Sequence, residues 1–140
     1  GVKDSSGNWE NMSGIVENVS DFMVYSGTET YLLENLLNGG TGCITATANI
    51  FATECQQVFQ AWKNEQFKYA EQKQKKLTSL RQAFESYPFV SGLKSILADQ
   101  KNSKNWEHMT PPFDGLNKHQ LNELKEKIKY LGLDISKRLS

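Results

Sequence analysis

The chain opens with Gly1-Val2-Lys3-Asp4-Ser5-Ser6-Gly7, in which a short apolar run meets a lysine and then small polar residues. Gly7-Asn8 then begins a segment whose apolar residues, from Met12 to Val19, recur at helical spacing. This stretch therefore predicts the end of a buried strand, a turn and a helix, which together make one βα unit. In parallel β/α folds active-site residues lie at the carboxyl ends of strands, and Lys3 falls at such an end.

The same order of strand and helix recurs twice in the following sixty residues. The further predicted strands are Phe22-Met23-Val24-Tyr25 and Gly42-Cys43-Ile44-Thr45, and the helices after them place Leu32, Leu33, Leu36 and Leu37, and then Cys55, Val58, Phe59 and Trp62, on apolar faces. Thr28 is a predicted helix cap, and Gly39-Gly40 predicts the helix end. Because parallel strands need a crossover of about a dozen residues, this order predicts a parallel sheet in an α/β fold.

The second half of the chain predicts helices only. The apolar residues that support them are Phe67, Ala70, Leu77, Leu80 and Phe84, then Leu93, Ile96 and Leu97, and finally Leu121, Leu124, Ile128 and Leu131. We therefore divide the chain into residues 1–64, which carry the βα units, and residues 65–140, a helical extension of the same domain. The three predicted strands are too few to close a barrel and the first begins at residue 1, so we expect the preceding barrel units to lie outside this sequence.

Composition excludes several classes of function. The sequence is 38% hydrophobic and 23% charged, with 16 basic and 16 acidic side chains, so its balance of charge offers no attraction to nucleic acid or to an anionic membrane. No apolar run approaches the roughly 18 residues of a membrane span, and we expect a cytoplasmic protein. Cys43 and Cys55 lack the spacing of metal ligands, and we interpret them as free structural thiols. Neither a metal nor a cofactor is predicted.

The residues by themselves allow more than one interpretation of Lys3. A lysine that is partly desolvated at a strand end favours the neutral amine, which can attack a ketone and form an imine. A lysine in such a position is also commonly a surface or salt-bridged group. In the same way, Gly27 and Ile44 are consistent with an ordinary turn and a core strand residue.

Three motifs in order give the sequence a family resemblance. They are Gly1-Val2-Lys3-Asp4-Ser5-Ser6-Gly7, Tyr25-Ser26-Gly27-Thr28-Glu29 and Gly39-Gly40-Thr41-Gly42-Cys43-Ile44-Thr45-Ala46-Thr47-Ala48-Asn49. Their order and intervals resemble the sixth, seventh and eighth βα units of the dihydrodipicolinate synthase / N-acetylneuraminate lyase family. The helical tail resembles that family's C-terminal extension. The resemblance implies a (β/α)8 TIM barrel, of which this chain covers about the last three units plus the extension.

The resemblance also implies a role for five residues. Lys3 matches the lysine that forms a Schiff base with pyruvate, as in class I aldolases, without a metal. Gly27 matches the glycine beside the substrate, and Ile44 matches a residue that lines the pyruvate pocket. Glu29 and Thr30 match positions that touch the distal, hydroxylated part of the substrate in the sugar-acid lyases. The family's proton-shuttling tyrosine and its carboxylate-binding loop have no counterpart in these 140 residues, so we expect the fragment alone to be inactive.

The substrate is predicted only as a class, a 2-keto acid that is pyruvate or releases it. Ser91-Gly92-Leu93-Lys94 resembles a segment of the sialic-acid lyases, which favours a sugar-acid lyase. Thr110-Pro111-Pro112-Phe113 resembles the proline pair of keto-deoxy sugar-acid aldolases and dehydratases, so a keto-deoxy sugar-acid dehydratase is one alternative. A 4-hydroxy-tetrahydrodipicolinate synthase is the other, although the proline-rich segment typical of those synthases is reduced to Tyr87-Pro88. The resemblance implies a homo-oligomer, usually a tetramer. The hypothesis from a different class is a non-catalytic barrel used for assembly or ligand sensing.

Overall fold

The structure is a computed structural model that describes residues 1–133 and 135. The strands are β1 Val2–Asp4, β2 Val24–Ser26 and β3 Gly42–Cys43, and the α-helices are α1 Trp9–Asn18, α2 Leu32–Leu37, α3 Ala48–Lys63, α4 Phe67–Glu85, α5 Phe89–Lys101 and α6 Lys118–Tyr130. Short 3-10 helices cover Glu29–Tyr31, directly before α2, and Lys104–Glu107, between α5 and α6.

The three strands form one parallel sheet in the order β1-β2-β3. Lys3 lies opposite Tyr25, and Tyr25 lies opposite Gly42, so the three positions share one face of the sheet. Val24 and Ser26 point to the other face and are buried, whereas Lys3 is exposed. The predicted parallel sheet is confirmed, with its three carboxyl ends at one edge.

Local sequence explains where the helices begin. The side chain of Asn8 accepts a hydrogen bond from the backbone N–H of Glu10 at 2.9 Å, which caps α1 as the Gly7-Asn8 pair predicted. Thr28 caps the 3-10 turn before α2 by accepting from the N–H of Thr30. Asn117 and Gln120 form a reciprocal capping box at the start of α6.

Several predicted core positions and strand limits are wrong. The apolar residues that the structure leaves exposed are Val19, Phe22, Met23, Leu37, Ile44 and Phe67. Strand β2 begins at Val24 rather than at Phe22, and β3 ends at Cys43 rather than at Thr45. Each of these residues lies at or just beyond an end of a helix or strand, where the apolar pattern of the sequence continues but the packed surface does not.

The chain divides into two compact units, residues 1–78 and 79–140. The core of the first contains Met12, Val24, Leu32, Leu33, Leu36, Ile50, Phe51, Val58, Ala61, Ala70 and Leu77, and that of the second contains Leu80, Ala83, Phe84, Leu93, Ile96, Leu97, Ala98, Leu124, Ile128 and Leu133. The predicted division between residues 64 and 65 stays a prediction. The last residues of the predicted helical extension, 134 and 136–140, lie outside the described part of the chain. No helix among the described residues has both the length and the apolar character to cross a membrane.

Candidate active site

Lys3 lies near the carboxyl edge of the sheet, one residue before the end of β1 and close to the strand end that the sequence predicted. It is the central residue of β1, and its side chain is exposed on the face that also carries Tyr25. The predicted desolvation of the amine is therefore not supplied by residues 1–133 and 135. The pairing of β1 with β2 does fix the backbone of Lys3, from which the amine extends.

Asp4 anchors the turn that follows Lys3. Its carboxylate is buried and accepts hydrogen bonds from the backbone N–H of Ser6 at 2.7 Å and from the side-chain amide of Asn11 at 2.8 Å. Burial raises the pKa of this carboxyl, but the hydrogen bonds from Ser6 and Asn11 outweigh burial and lower the pKa below its usual value of 3.8. The turn is thus held by an ionised side chain next to Lys3.

Gly27 follows β2 and lies directly against this turn. Its N–H donates to the carbonyl oxygen of Asp4 at 2.6 Å. A Cβ at residue 27 would lie 2.6 Å from that oxygen and 2.9 Å from the Cα of Ser5. Glycine is required here because the two chain segments approach closely, which places Gly27 beside the turn that carries Lys3.

Ile44 takes the corresponding place after β3. Its backbone N–H donates to the carbonyl oxygen of Ser26 at 2.8 Å, which extends the pairing of β2 and β3 by one step. Its side chain is 50% exposed. Lys3, Gly27 and Ile44 therefore come from three adjacent strand ends on one edge of the sheet.

Glu29 and Thr30 lie in the 3-10 turn after β2, in different surroundings. The side chain of Glu29 is fully buried, and one of its carboxylate oxygens accepts a hydrogen bond from the hydroxyl of Thr45. Thr30 is half-buried, and its hydroxyl lies 3.1 Å from that of Thr28. The structure thus places Thr30 near the edge, while the Glu29 carboxylate joins the loop after β2 to the loop after β3.

The two cysteines are free, and each thiol affects the pKa of the other. A hydrogen bond from the Cys55 thiol lowers the pKa of Cys43, although burial and the nearby Glu29 carboxylate raise it. The same hydrogen bond and burial raise the pKa of Cys55. Among the described residues, no group of three or more His, Cys, Asp or Glu side chains is arranged to hold a metal ion.

Asp4 and Thr45 also belong to this site, although neither was predicted from the sequence. The sequence does contain an indication for Asp4, because the side chain of an Asp in a turn commonly accepts a hydrogen bond from the backbone N–H two residues later, and Ser-Ser-Gly after Asp4 is typical of a turn. Thr45 bonds to a residue sixteen positions away, and no local pattern reports that contact.

Comparison with known proteins agrees with this arrangement. The model of the Dihydrodipicolinate synthetase family matches residues 1–131. A 4-hydroxy-tetrahydrodipicolinate synthase of Listeria monocytogenes is 37% identical over 101 residues, which make up 71% of this chain and 34% of that synthase. The chain therefore spans about a third of the length of this relative.

Two solved structures have a similar fold. N-acetylneuraminate lyase from Fusobacterium nucleatum superimposes with a TM-score of 0.80 at 22% identity, over 94% of this chain and 44% of the lyase. YagE, a prophage protein of the dihydrodipicolinic acid synthase family from E. coli, was solved in complex with pyruvate and gives a TM-score of 0.81 at 22% identity, over 94% of this chain and 45% of that one.

The parallel βα units define an α/β protein, and the fold shared with these solved structures makes it part of a barrel. The chain corresponds to about the last three units of a TIM barrel and a C-terminal helical extension, as the sequence predicted. It belongs to the dihydrodipicolinate synthetase family. Relatives in this family are named as synthases and lyases.

Proposed function

We propose that Lys3 forms a Schiff base with pyruvate, or with a 2-keto acid that releases pyruvate, and that the whole protein is a class I aldolase or lyase. The observation that carries this proposal is the exposed position of Lys3 near the carboxyl edge of the sheet, the edge at which Gly27 and Ile44 also lie. In βα barrels this edge is where catalytic side chains lie. The family membership of the chain supports the same chemistry.

In the proposed reaction, Nζ of Lys3 attacks the keto carbon and water leaves, which gives an imine between the two. The protonated imine accepts the electron pair of the C–C bond that breaks, and it returns that pair when a bond forms. Gly27 and Ile44 line the pyruvate end. Thr30 and Glu29 serve the distal, hydroxylated end, with Thr30 the more accessible of the two.

Borohydride trapping of the whole protein tests this proposal. With pyruvate present, reduction of the imine is expected to add the mass of pyruvic acid less one oxygen atom to the peptide that contains Lys3. Lys3→Arg is expected to abolish the adduct, because a guanidinium does not form the imine. Lys63→Arg, which removes an exposed lysine at the end of α3, is the matched control and should leave it intact. No adduct on the unmodified sequence would favour the non-catalytic barrel.

The sequence and the comparisons favour two different substrates. The Gly92-Leu93-Lys94 segment favours a sugar-acid lyase, whereas the 37% identity to a 4-hydroxy-tetrahydrodipicolinate synthase favours synthesis. Parallel assays of N-acetylneuraminate cleavage and of 4-hydroxy-tetrahydrodipicolinate formation by the whole protein separate the two. We also propose that the whole protein is a homotetramer and is located in the cytoplasm.

A further inference from the structure

The side chain of Gln74, on α4, reaches the segment after β2 that carries Glu29 and Thr30. Its Oε1 accepts from the backbone N–H of Leu33 at 3.1 Å. Its Nε2 lies 2.9 Å from the carbonyl oxygen of Glu29 and 3.1 Å from that of Thr30. One side chain therefore contacts the backbone of three residues that precede it by 41 to 45 positions in the sequence.

The contacted segment needs such a partner. Helix α2 has only six residues, and its N-cap, Tyr31, makes no side-chain cap hydrogen bond. The N–H of Leu33 belongs to the first turn, where no intrahelical acceptor exists. An amide side chain carries both an acceptor and a donor group, so Gln74 can bind this N–H and the carbonyls of the preceding turn at once. Nε2 also lies 3.1 Å from the hydroxyl of Thr78, which orients the amide.

We propose that Gln74 is a positioning residue for the distal end of the substrate. It fixes the backbone of residues 29–33 from outside the βα units, and so sets where Thr30 and Glu29 lie relative to Lys3. This inference rests on the proposed function, because Thr30 and Glu29 are assigned to the substrate there. The described hydrogen bonds of Gln74 go to residues 29, 30, 33 and 78 and not to Lys3, so its loss should affect recognition of the distal group and leave formation of the pyruvate imine intact.

Two substitutions separate positioning from general stability. Gln74→Leu removes both hydrogen-bonding groups at similar volume, and it is expected to raise KM for the distal substrate about tenfold with a smaller change in kcat. The assay is N-acetylneuraminate cleavage or 4-hydroxy-tetrahydrodipicolinate formation, whichever the whole protein catalyses. Gln72→Leu, an exposed glutamine two positions earlier on the same helix, is the matched control and should leave KM unchanged.

Gln74→Glu gives a second, pH-dependent readout. Its carboxyl keeps the acceptor for Leu33 but donates a hydrogen bond only when protonated. The KM of this variant relative to the unmodified protein should therefore fall as pH is lowered, whereas the relative KM of Gln74→Leu should not. Exchange of the Leu33 amide hydrogen should be faster in Gln74→Leu, which lacks the acceptor, than in Gln72→Leu.

The outcomes distinguish this inference from the proposed function. A normal pyruvate adduct at Lys3 together with an unchanged KM in both Gln74 variants would overturn the role of Gln74 alone. Equal loss of adduct formation and turnover in both variants would make Gln74 a general structural residue, which also overturns it. No adduct in the unmodified protein would overturn the aldolase function and with it the role of Gln74 at that site.

Discussion

Lys3 and Asp4 are adjacent in sequence but differ in charge and in burial. Side chains alternate between the faces of a strand, so Lys3 is exposed on one face while Asp4 is buried on the other. Asp4 bonds to Ser6 and Asn11 and also, through its carbonyl, to Gly27. The residue proposed to react is therefore held by a neighbour that takes no part in the proposed chemistry.

The lowered pKa of Asp4 predicts a pH-dependent contribution to stability. The ionised carboxylate stabilises the folded protein at pH values above its usual pKa of 3.8, and this stabilisation is lost as pH falls through the lower pKa of the folded state. Asp4→Asn should reduce the free energy of unfolding of the whole protein at neutral pH, and the difference should shrink below about pH 4. Urea unfolding at a series of pH values measures it.

Asp114→Asn is the control for the loss of a carboxylate, because Asp114 is exposed in the loop before α6. A difference between Asp4→Asn and the unmodified protein that stays constant from neutral to acid pH would contradict the linkage. The buried hydrogen bonds of Asp4 would then act through geometry alone.

At the scale of elements, the sheet is too short to be held by its own ladder. Strand β3 has two residues, and β1 and β2 have three each. Asn35, fully buried on α2, donates from its amide to the carbonyl oxygens of Val24 and Gly42, each at 2.9 Å. A helix side chain thus links two neighbouring strands, which compensates for the few backbone hydrogen bonds between them.

Gly40 leaves the space that Asn35 occupies, and this predicts the effect of a single methyl group. A Cβ at residue 40 would overlap the Asn35 amide, so Gly40→Ala should displace it and break its hydrogen bonds to both strands. We expect a loss of about 2–4 kcal/mol in the free energy of unfolding, measured by denaturant titration of the whole protein.

Gly14→Ala is the matched control, because it adds the same methyl group at another glycine. Gly14 lies within α1, and a Cβ there would meet no atom within 4 Å. This variant should be as stable as the unmodified protein or slightly more stable, since alanine favours helix. Equal stability of Gly40→Ala and Gly14→Ala would show that Asn35 is not the link between β2 and β3.

Across the whole molecule, the described residues leave both outer strands of the sheet with an unpaired edge. In the order β1-β2-β3, each outer strand is paired on a single side within residues 1–133 and 135. The side chains of Met23 and Ile44 are 55% and 50% exposed. Unpaired strand edges and exposed apolar side chains promote association between chains.

The 140-residue chain expressed by itself is therefore expected to be aggregated or molten, and inactive in both assays. Size-exclusion chromatography and near-ultraviolet circular dichroism during heating measure this, with the whole protein as the control. A soluble monomer that melts in one sharp transition would contradict the prediction, because it would show that the outer strands and exposed apolar residues are tolerated in isolation.

The order of strands and helices, the parallel sheet, the family and the place of Lys3 could all be predicted from the sequence. These follow from periodicity, from caps such as Asn8 and from motifs, all of which are local or ordered along the chain. The link that Asn35 makes between two strands and the hydrogen bonds of Gln74 to residues 29–33 could be seen only in the folded structure. Such contacts join residues as many as 45 positions apart, so they depend on the tertiary fold. The sequence pattern of polar side chains on a helix does not indicate which distant residue each one will contact.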